Sequence, residues 1–286
     1  MYVIAGVTGH TGKQVADTLL GKGQPVRVIV RKPEQGAPWK ARGAEVAVAS
    51  LDDEAALTKA FHGAKGAFVL LPPDPVTTDY MGSRAKITEA IAGAVEKSNL
   101  PHVVLLSSVG AHIPKATGPI VSLHQAEHRL EKTGTATTFV RAAYFLENFG
   151  AVLPAAKKDG VLPSFFPAGM SHGVVATADI GRTAAQALLD GARGRRVIEL
   201  AGPAETNANE VAATLSRILE RPIKVAEAPL SALVPTYTSF GMSTQMAELY
   251  REMTAAFIDG VIKPETHGEH LRGQVTLAEG LRGMLG

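Results

Sequence analysis

The sequence predicts an α/β protein: a Rossmann-type doubly wound parallel sheet with a smaller C-terminal α/β substrate domain. Three observations carry this. Short, nearly continuous runs of Val, Ile and Leu alternate with helical patterns through the first 142 residues. A glycine-rich turn, Gly6 to Gly12, follows the first run and opens the first helix. After Arg141 the alternation gives way to glycine and proline punctuation.

The apolar runs are Tyr2–Ala5, Val26–Val30, Glu45–Ala49, Gly66–Leu71, His102–Ser107 and Thr137–Val140. Each is short enough for a strand and apolar enough for a sheet buried on both faces. The intervening helices are expected at Lys13–Lys22, Asp53–His62, Ser83–Lys97 and Ser122–Lys132. Asp52, Asp53 and Glu54 mark one helix start, because acids are favoured at its positive end. Gly150–Gly173 reads as irregular structure or short strands. A helix at Asp179–Leu189 and a strand at Arg196–Leu200 follow. Asn209–Leu219 places Val211, Leu215, Ile218 and Leu219 on one helical stripe. Lys224–Ala228 fits a short strand, and Thr244–Ile258 and Leu277–Leu285 fit helices. The nucleotide domain is expected to take residues 1–150 plus about 176–202. The smaller lid domain is expected to take about 151–175 and 203–286.

Composition narrows the function. Among 286 residues, 29 basic and 27 acidic side chains leave a net charge of +2 with no basic block. With aromatics at only 5%, nothing favours nucleic acid. There is no cysteine, which removes disulfides, thiolate metal sites and a cysteine nucleophile. No stretch approaches the ~18 apolar residues of a membrane span, and no signal peptide is visible. The expectation is a soluble cytoplasmic protein without membrane partners.

Gly6-Val7-Thr8-Gly9-His10-Thr11-Gly12 has the context of a dinucleotide fingerprint. Gly6 suits the tight turn, Gly9 the approach of a pyrophosphate, and Gly12 close helix–strand packing. The helix start offers free N–H donors and partial positive charge. A purely structural glycine turn is the plainer alternative. The second strand ends in Arg31-Lys32, and Arg31 lies 31 − 12 = 19 residues past Gly12. An acid here would hold the ribose hydroxyls of NAD; a guanidinium suits a 2′-phosphate. NADP(H) is therefore favoured over NAD(H), against a solvated basic strand end.

Reductases and epimerases of the standard short-chain type use Tyr-x-x-x-Lys, in which lysine eases proton transfer from tyrosine. The five tyrosines here are followed four residues on by Gly6, Arg84, Asn148, Gly241 and Thr254. None is lysine. His124-Gln125-Ala126-Glu127-His128 spells H-x-x-E-H, the inverted zinc-protease motif. It continues through Arg129 and Glu131 as an ordinary charged helix, so no metal is expected there.

These residues resemble the NmrA-like family of atypical short-chain dehydrogenases, which includes NAD(P)H-dependent quinone, triphenylmethane-dye and azo reductases. Gly6–Gly12, Ile29-Val30-Arg31-Lys32-Pro33, Leu105–His112 and Ala176–Gly181 carry the resemblance. So does Thr138–Asn148, which is similar to the family's T-x-L-R-P-x-x-F-M-E-N segment. Ala49-Ser50 replaces the family's Gly-Asp and Ala142 its proline.

The resemblance implies a cofactor site formed by Gly6, Thr8, Gly9, His10, Thr11, Gly12, Arg31 and Lys32, with Ser50 at the adenine. Leu71, Pro72 and Pro73 would line the phosphate and ribose. Ser107, Ser108, Arg141, Ala143, Tyr144 and Phe145 would flank the nicotinamide. Arg141 has an alternative role as an anchor of its turn. His124 falls near the lysine of isoflavone-reductase-like relatives and would assist proton delivery, unless it is only a helix histidine. Tyr144 is the second catalytic candidate. Tyr144, Asn148, Phe165, Phe166 and Tyr237 are the substrate candidates, suited to a flat aromatic or quinone-like acceptor. The expected activity is NADPH-dependent hydride transfer to a conjugated acceptor such as a quinone or dye. A non-catalytic NADP(H)-binding redox sensor is the alternative, and a homodimer is implied only by the family.

Overall fold

A computed structural model describes residues 1–286. The nucleotide half runs β1 (Tyr2–Ile4), α1 (His10–Gly21), β2 (Val26–Val30), α2 (Ala37–Lys40), β3 (Glu45–Val48), α3 (Glu54–Phe61), β4 (Gly66–Leu70), α4 (Tyr80–Ser98), β5 (His102–Ser108), α5 (Ile120–Glu131) and β6 (Ala136–Ala142). The rest runs β7 (Tyr144–Phe145), α6 (Leu153–Asp159), β8 (Val161–Ser164), β9 (His172–Val175), α7 (Thr177–Asp190), β10 (Arg195–Ala201), β11 (Glu205–Thr206), α8 (Ala208–Leu219), β12 (Lys224–Glu227), α9 (Leu233–Ser239), α10 (Thr244–Ile258), β13 (Glu269–Arg272) and α11 (Leu277–Leu285).

Eight strands form one sheet in the order β13-β10-β6-β5-β4-β1-β2-β3, every neighbouring pair parallel. The order reverses at β1, between β2 and β4, which places a crevice at the carboxyl ends there. Side chains alternate between two apolar layers, as the two-residue period of a strand requires. Ile4, Val28, Phe68, Val104 and Val140 join Val15, Leu19, Ile180 and Leu188 on the α1–α7 side. Val3, Ile29, Val69, Leu105 and Phe139 join Leu57, Ile91 and Leu130 on the α3–α4–α5 side. This two-sided burial is why the strands read as continuous apolar runs.

The helix starts follow their caps. Asp53 accepts from the Ala56 N–H at 3.0 Å and opens α3. Asp79 accepts from the Gly82 N–H at 3.0 Å, so α4 starts at Tyr80, earlier than the expected Ser83. Gly9 opens α1 at His10 rather than at Lys13.

The short elements α2, β7, β11 and α9 are not expected from the sequence, and two further departures shape the fold. The Gly150–Gly173 stretch contains α6, a short helix with Pro154 in its first turn that buries Leu153 and Ala156 against Leu162, Val211, Leu215 and Leu281. More consequentially, Glu269–Arg272 forms β13, which pairs with β10 and closes the edge of the main sheet. Only Leu271 of its four residues packs against the core. A charged edge strand carries no apolar run, so periodicity alone passes over it. The segment between α10 and β13 lies against the loop after β5, where Ile262 and Ala256 pack on Val109, Ala111 and Ile120. No helix is long and apolar enough to cross a membrane.

Candidate functional site

The β1–α1 turn is built by its glycines. Gly6 sits at φ +70°, a conformation that L side chains rarely adopt. The Gly9 N–H donates to Gly6 O at 3.0 Å and closes the turn. A Cβ on Gly12 would collide with Ala5 O and the Gly6 carbonyl, so the helix can approach the strand only as glycine. Gly9 differs: a Cβ there would meet only Gly6 O, at 3.6 Å, and would project into open space. No side chain caps α1, and the His10, Thr11 and Gly12 N–H groups have no acceptor in the protein. A helix start with free donors, facing space that glycine leaves clear, fits a pyrophosphate. Thr8 and His10 are exposed at its rim, while Thr11 is buried.

Arg31 and Lys32 are exposed at the end of β2 and form no ion pair. Their backbone N–H groups both donate to Gln35 Oε1 at 3.2 Å, which fixes the backbone and leaves both cationic heads free. The Ser50 hydroxyl donates to Asp52 Oδ1 at 2.5 Å, and Asp52 Oδ2 pairs with Lys86 at 2.8 Å. Leu71 and Pro72 are half-buried and Pro73 is exposed. Pro72 O accepts from the buried Arg84 guanidinium, which also lies over the Tyr80 ring at 5.2 Å. Nothing in the sequence singled out Arg84 as the anchor of this loop.

Arg141 and Ser107, expected beside the cofactor, are both enclosed by protein partners. Arg141 is 1% exposed. Its Nε donates to Glu127 Oε1 at 2.9 Å and its Nη2 to Glu127 Oε2 at 2.6 Å. Its Nη1 donates to Glu265 Oε2 at 2.5 Å and Glu199 Oε1 at 3.3 Å. All three guanidinium nitrogens donate to carboxylates, as a buried charge requires partners. Ser107 is buried too and donates to Glu127 Oε1 at 2.5 Å, while the Ser108 hydroxyl donates to Val109 O at 3.0 Å. Burial works against the Arg141 charge, but the carboxylates of Glu127 and Glu265 hold it firmly protonated. Glu199 accepts from the Glu265 N–H at 3.1 Å and from Arg141 only at the longer distance, and burial outweighs both, pushing its carboxyl above the ordinary range.

The H-x-x-E-H spacing dissolves in three dimensions. Glu127 faces Arg141 inside the protein, whereas the His128 Nδ1–H group donates to His124 O at 3.0 Å on the outside. His124 donates from Nδ1 to Ala111 O at 2.9 Å, and its ring stacks 4.2 Å from that of His128. In that tautomer Nε2 is the free nitrogen, held above the loop after β5.

The substrate candidates converge, with an addition. Tyr144 lies edge-on to Phe166 at 6.1 Å and to His172 at 5.4 Å, and the Phe166 and His172 rings are 5.3 Å apart. Phe257 lies edge-on to Phe166, and Tyr237 forms T-shaped pairs with Phe165 and with Tyr250. Burial holds the Tyr144, Tyr237 and Tyr250 phenols above their usual range and the His172 imidazole below its own. Together these rings form a half-buried aromatic wall. Ala143 donates its N–H to Leu200 O at 2.8 Å, and Phe145 packs on the sheet core beside it. Asn148 is exposed. Nothing in the sequence singled out His172; β9, β7 and β11 bring it to Tyr144. A cleft of about 350 Å³ lies away from these residues, lined in part by Lys22, Arg182, Arg196 and Arg272. Arg182 and Arg196 there are already paired with Asp179 and Asp190.

The strand order, the turn and the uncapped helix define a Rossmann-type protein with the cradle of a dinucleotide. Residues 2–269 match the NmrA-like family, and the chain belongs to it. It is similar, at 30% identity over 233 residues covering 81% of this chain and 78% of the relative, to a (4-alkanoyl-5-oxo-2,5-dihydrofuran-3-yl)methyl phosphate reductase of Streptomyces griseus. It is 26% identical to the NAD(P)H azoreductase of Xenophilus azovorans over 89% of this chain and 86% of that one. Among solved structures it superposes on the NADPH complex of an Escherichia coli quinone oxidoreductase with a TM-score of 0.83, at 24% identity and full coverage of both chains.

Proposed function

We propose that this protein is an NADPH-dependent reductase that delivers hydride to a conjugated, electron-poor acceptor such as a quinone, an azo dye or an unsaturated lactone. The observation that carries the reading is the uncapped start of α1 at Gly9, beside the unpaired Arg31 and Lys32. Three of its relatives support it, being named as a reductase of a dihydrofuranyl-methyl phosphate, an azoreductase and a quinone oxidoreductase.

These acceptor classes share one property. Each takes hydride at one end of a conjugated system and spreads the resulting charge over the rest. Such acceptors need little acid catalysis, which agrees with a chain that lacks Tyr-x-x-x-Lys. When bound, the nicotinamide supplies the hydride. The chain's own residues bind, orient and exclude water. The α1 N–H groups hold the pyrophosphate, and Arg31 with Lys32 hold the 2′-phosphate. Tyr144, Phe166 and His172 present an aromatic surface to the acceptor. His124, anchored through Nδ1, delivers a proton from Nε2 when protonated.

The test is NADPH oxidation by the purified protein against a panel of quinones, azo dyes and unsaturated lactones. Turnover with at least one class is expected. Tight NADPH binding without turnover on any of them would instead establish a non-catalytic nucleotide sensor.

A further inference from the structure

We propose that His112, Glu199 and Glu265 form a binding site for one divalent transition-metal ion of the zinc type. One ligand atom from each of these residues lies within 4.8 Å of the others. They come from three separate parts of the chain: the loop after β5, the end of β10 and the segment leading into β13.

Two unpartnered atoms point to a ligand. Glu199 is 3% exposed, and its Oε1 accepts from the Glu265 N–H at 3.1 Å and from Arg141 Nη1. Its Oε2 is buried with no partner at all. His112 Nδ1 is likewise buried and unpartnered. A lone pair of this kind is costly to hide unless something accepts it.

The charges point the same way. Glu127, Glu199 and Glu265 surround one guanidinium, Arg141, so the ionised cluster carries a net charge of −2. Glu127 is matched by Arg141 through two hydrogen bonds, which leaves Glu199 and Glu265 as the surplus. A divalent cation brings the cluster to neutrality. One imidazole and two carboxylates are a borderline-to-hard donor set, suited to zinc or cobalt rather than to a soft ion. Bonds of about 2.0–2.2 Å would require the ligand atoms to close by a fraction of an ångström or more. Glu265 can supply that movement, since its side chain is 30% exposed. Bound there, the ion would staple the crossover between α10 and β13 onto the sheet and fix the loop that carries Ala111, the anchor of His124.

The test titrates Co²⁺ alone into untagged, metal-stripped, full-length protein. Expected are a visible d–d absorption that saturates at one ion per chain, reversal by Zn²⁺, and a raised Tm. His112→Ala leaves the Arg141 ion pairs intact and should weaken Co²⁺ binding by about tenfold or more. Glu199→Gln should abolish the absorption. The wild-type titration decides by itself whether an ion binds: no absorption and no thermal shift at millimolar Co²⁺ would overturn the proposal. An unchanged response in a folded His112→Ala variant would overturn it as well.

Discussion

Arg141 and Glu127 form a fully buried fork-to-fork pair, with Nε–Oε1 at 2.9 Å and Nη2–Oε2 at 2.6 Å. One comes from the segment most diagnostic of the family, the other from a helix that spells a zinc motif. Their pairing locks α5 to β6. Removing one partner leaves the other charged and buried, so Arg141→Met or Glu127→Leu alone should destabilise the protein by about 3–5 kcal/mol. The double replacement should recover part of that loss. Urea unfolding measures it. A stable Arg141→Met protein with only a raised KM for NADPH would show that Arg141 is a cofactor ligand instead.

Gly9 and Gly12 should respond differently to the same methyl group. Gly12→Ala collides with Ala5 O and Gly6 backbone and should lower stability, seen as a reduced Tm. Gly9→Ala has room within the protein and an ordinary φ of −105°, so its Tm should hold. Its methyl group enters the phosphate cradle, and NADPH affinity should fall by about tenfold, or roughly 1.4 kcal/mol. Titration calorimetry on both variants separates the two effects.

Arg31→Ala should weaken NADPH far more than NADH, because its guanidinium is exposed and forms no ion pair at the end of β2. A loss of about tenfold for NADPH with little change for NADH is the expected pattern. Equal losses for both would sink the 2′-phosphate assignment. Steady-state KM values for the two cofactors give the answer.

Stability should fall as the pH drops from 6.5 toward 4, and His102 is one named cause. It is 1% exposed, bonded through Nε2 to Thr138 Oγ1 at 2.9 Å, and burial depresses its pKa to about 4. The unfolded chain takes up a proton near pH 6.5, while the folded one resists until about 4. The stabilisation from keeping His102 neutral is therefore complete above 6.5 and is lost through that window, by up to about 3 kcal/mol. His102→Gln should flatten the profile of Tm against pH between those values. An unchanged slope would remove His102 as the cause.

Sequence by itself determined the sheet's buried strands, the glycine turn and the basic end of β2. These are local matters: an apolar run, a positive φ at Gly6 and a residue spacing can each be read along the chain. Tertiary structure decided which side chains meet. Arg141, Ser107 and Glu127 belong to one buried network because residues opposite each other on parallel strands share a face, and α5 covers that face. Glu199 joins through β10 and Glu265 through the crossover to β13, a charged edge strand without an apolar signature. His172 reaches Tyr144 through the same kind of lateral pairing, between β9 and β7. Strand order is a long-range property, set by how the two apolar faces of the sheet are covered, and no local pattern in the chain encodes it.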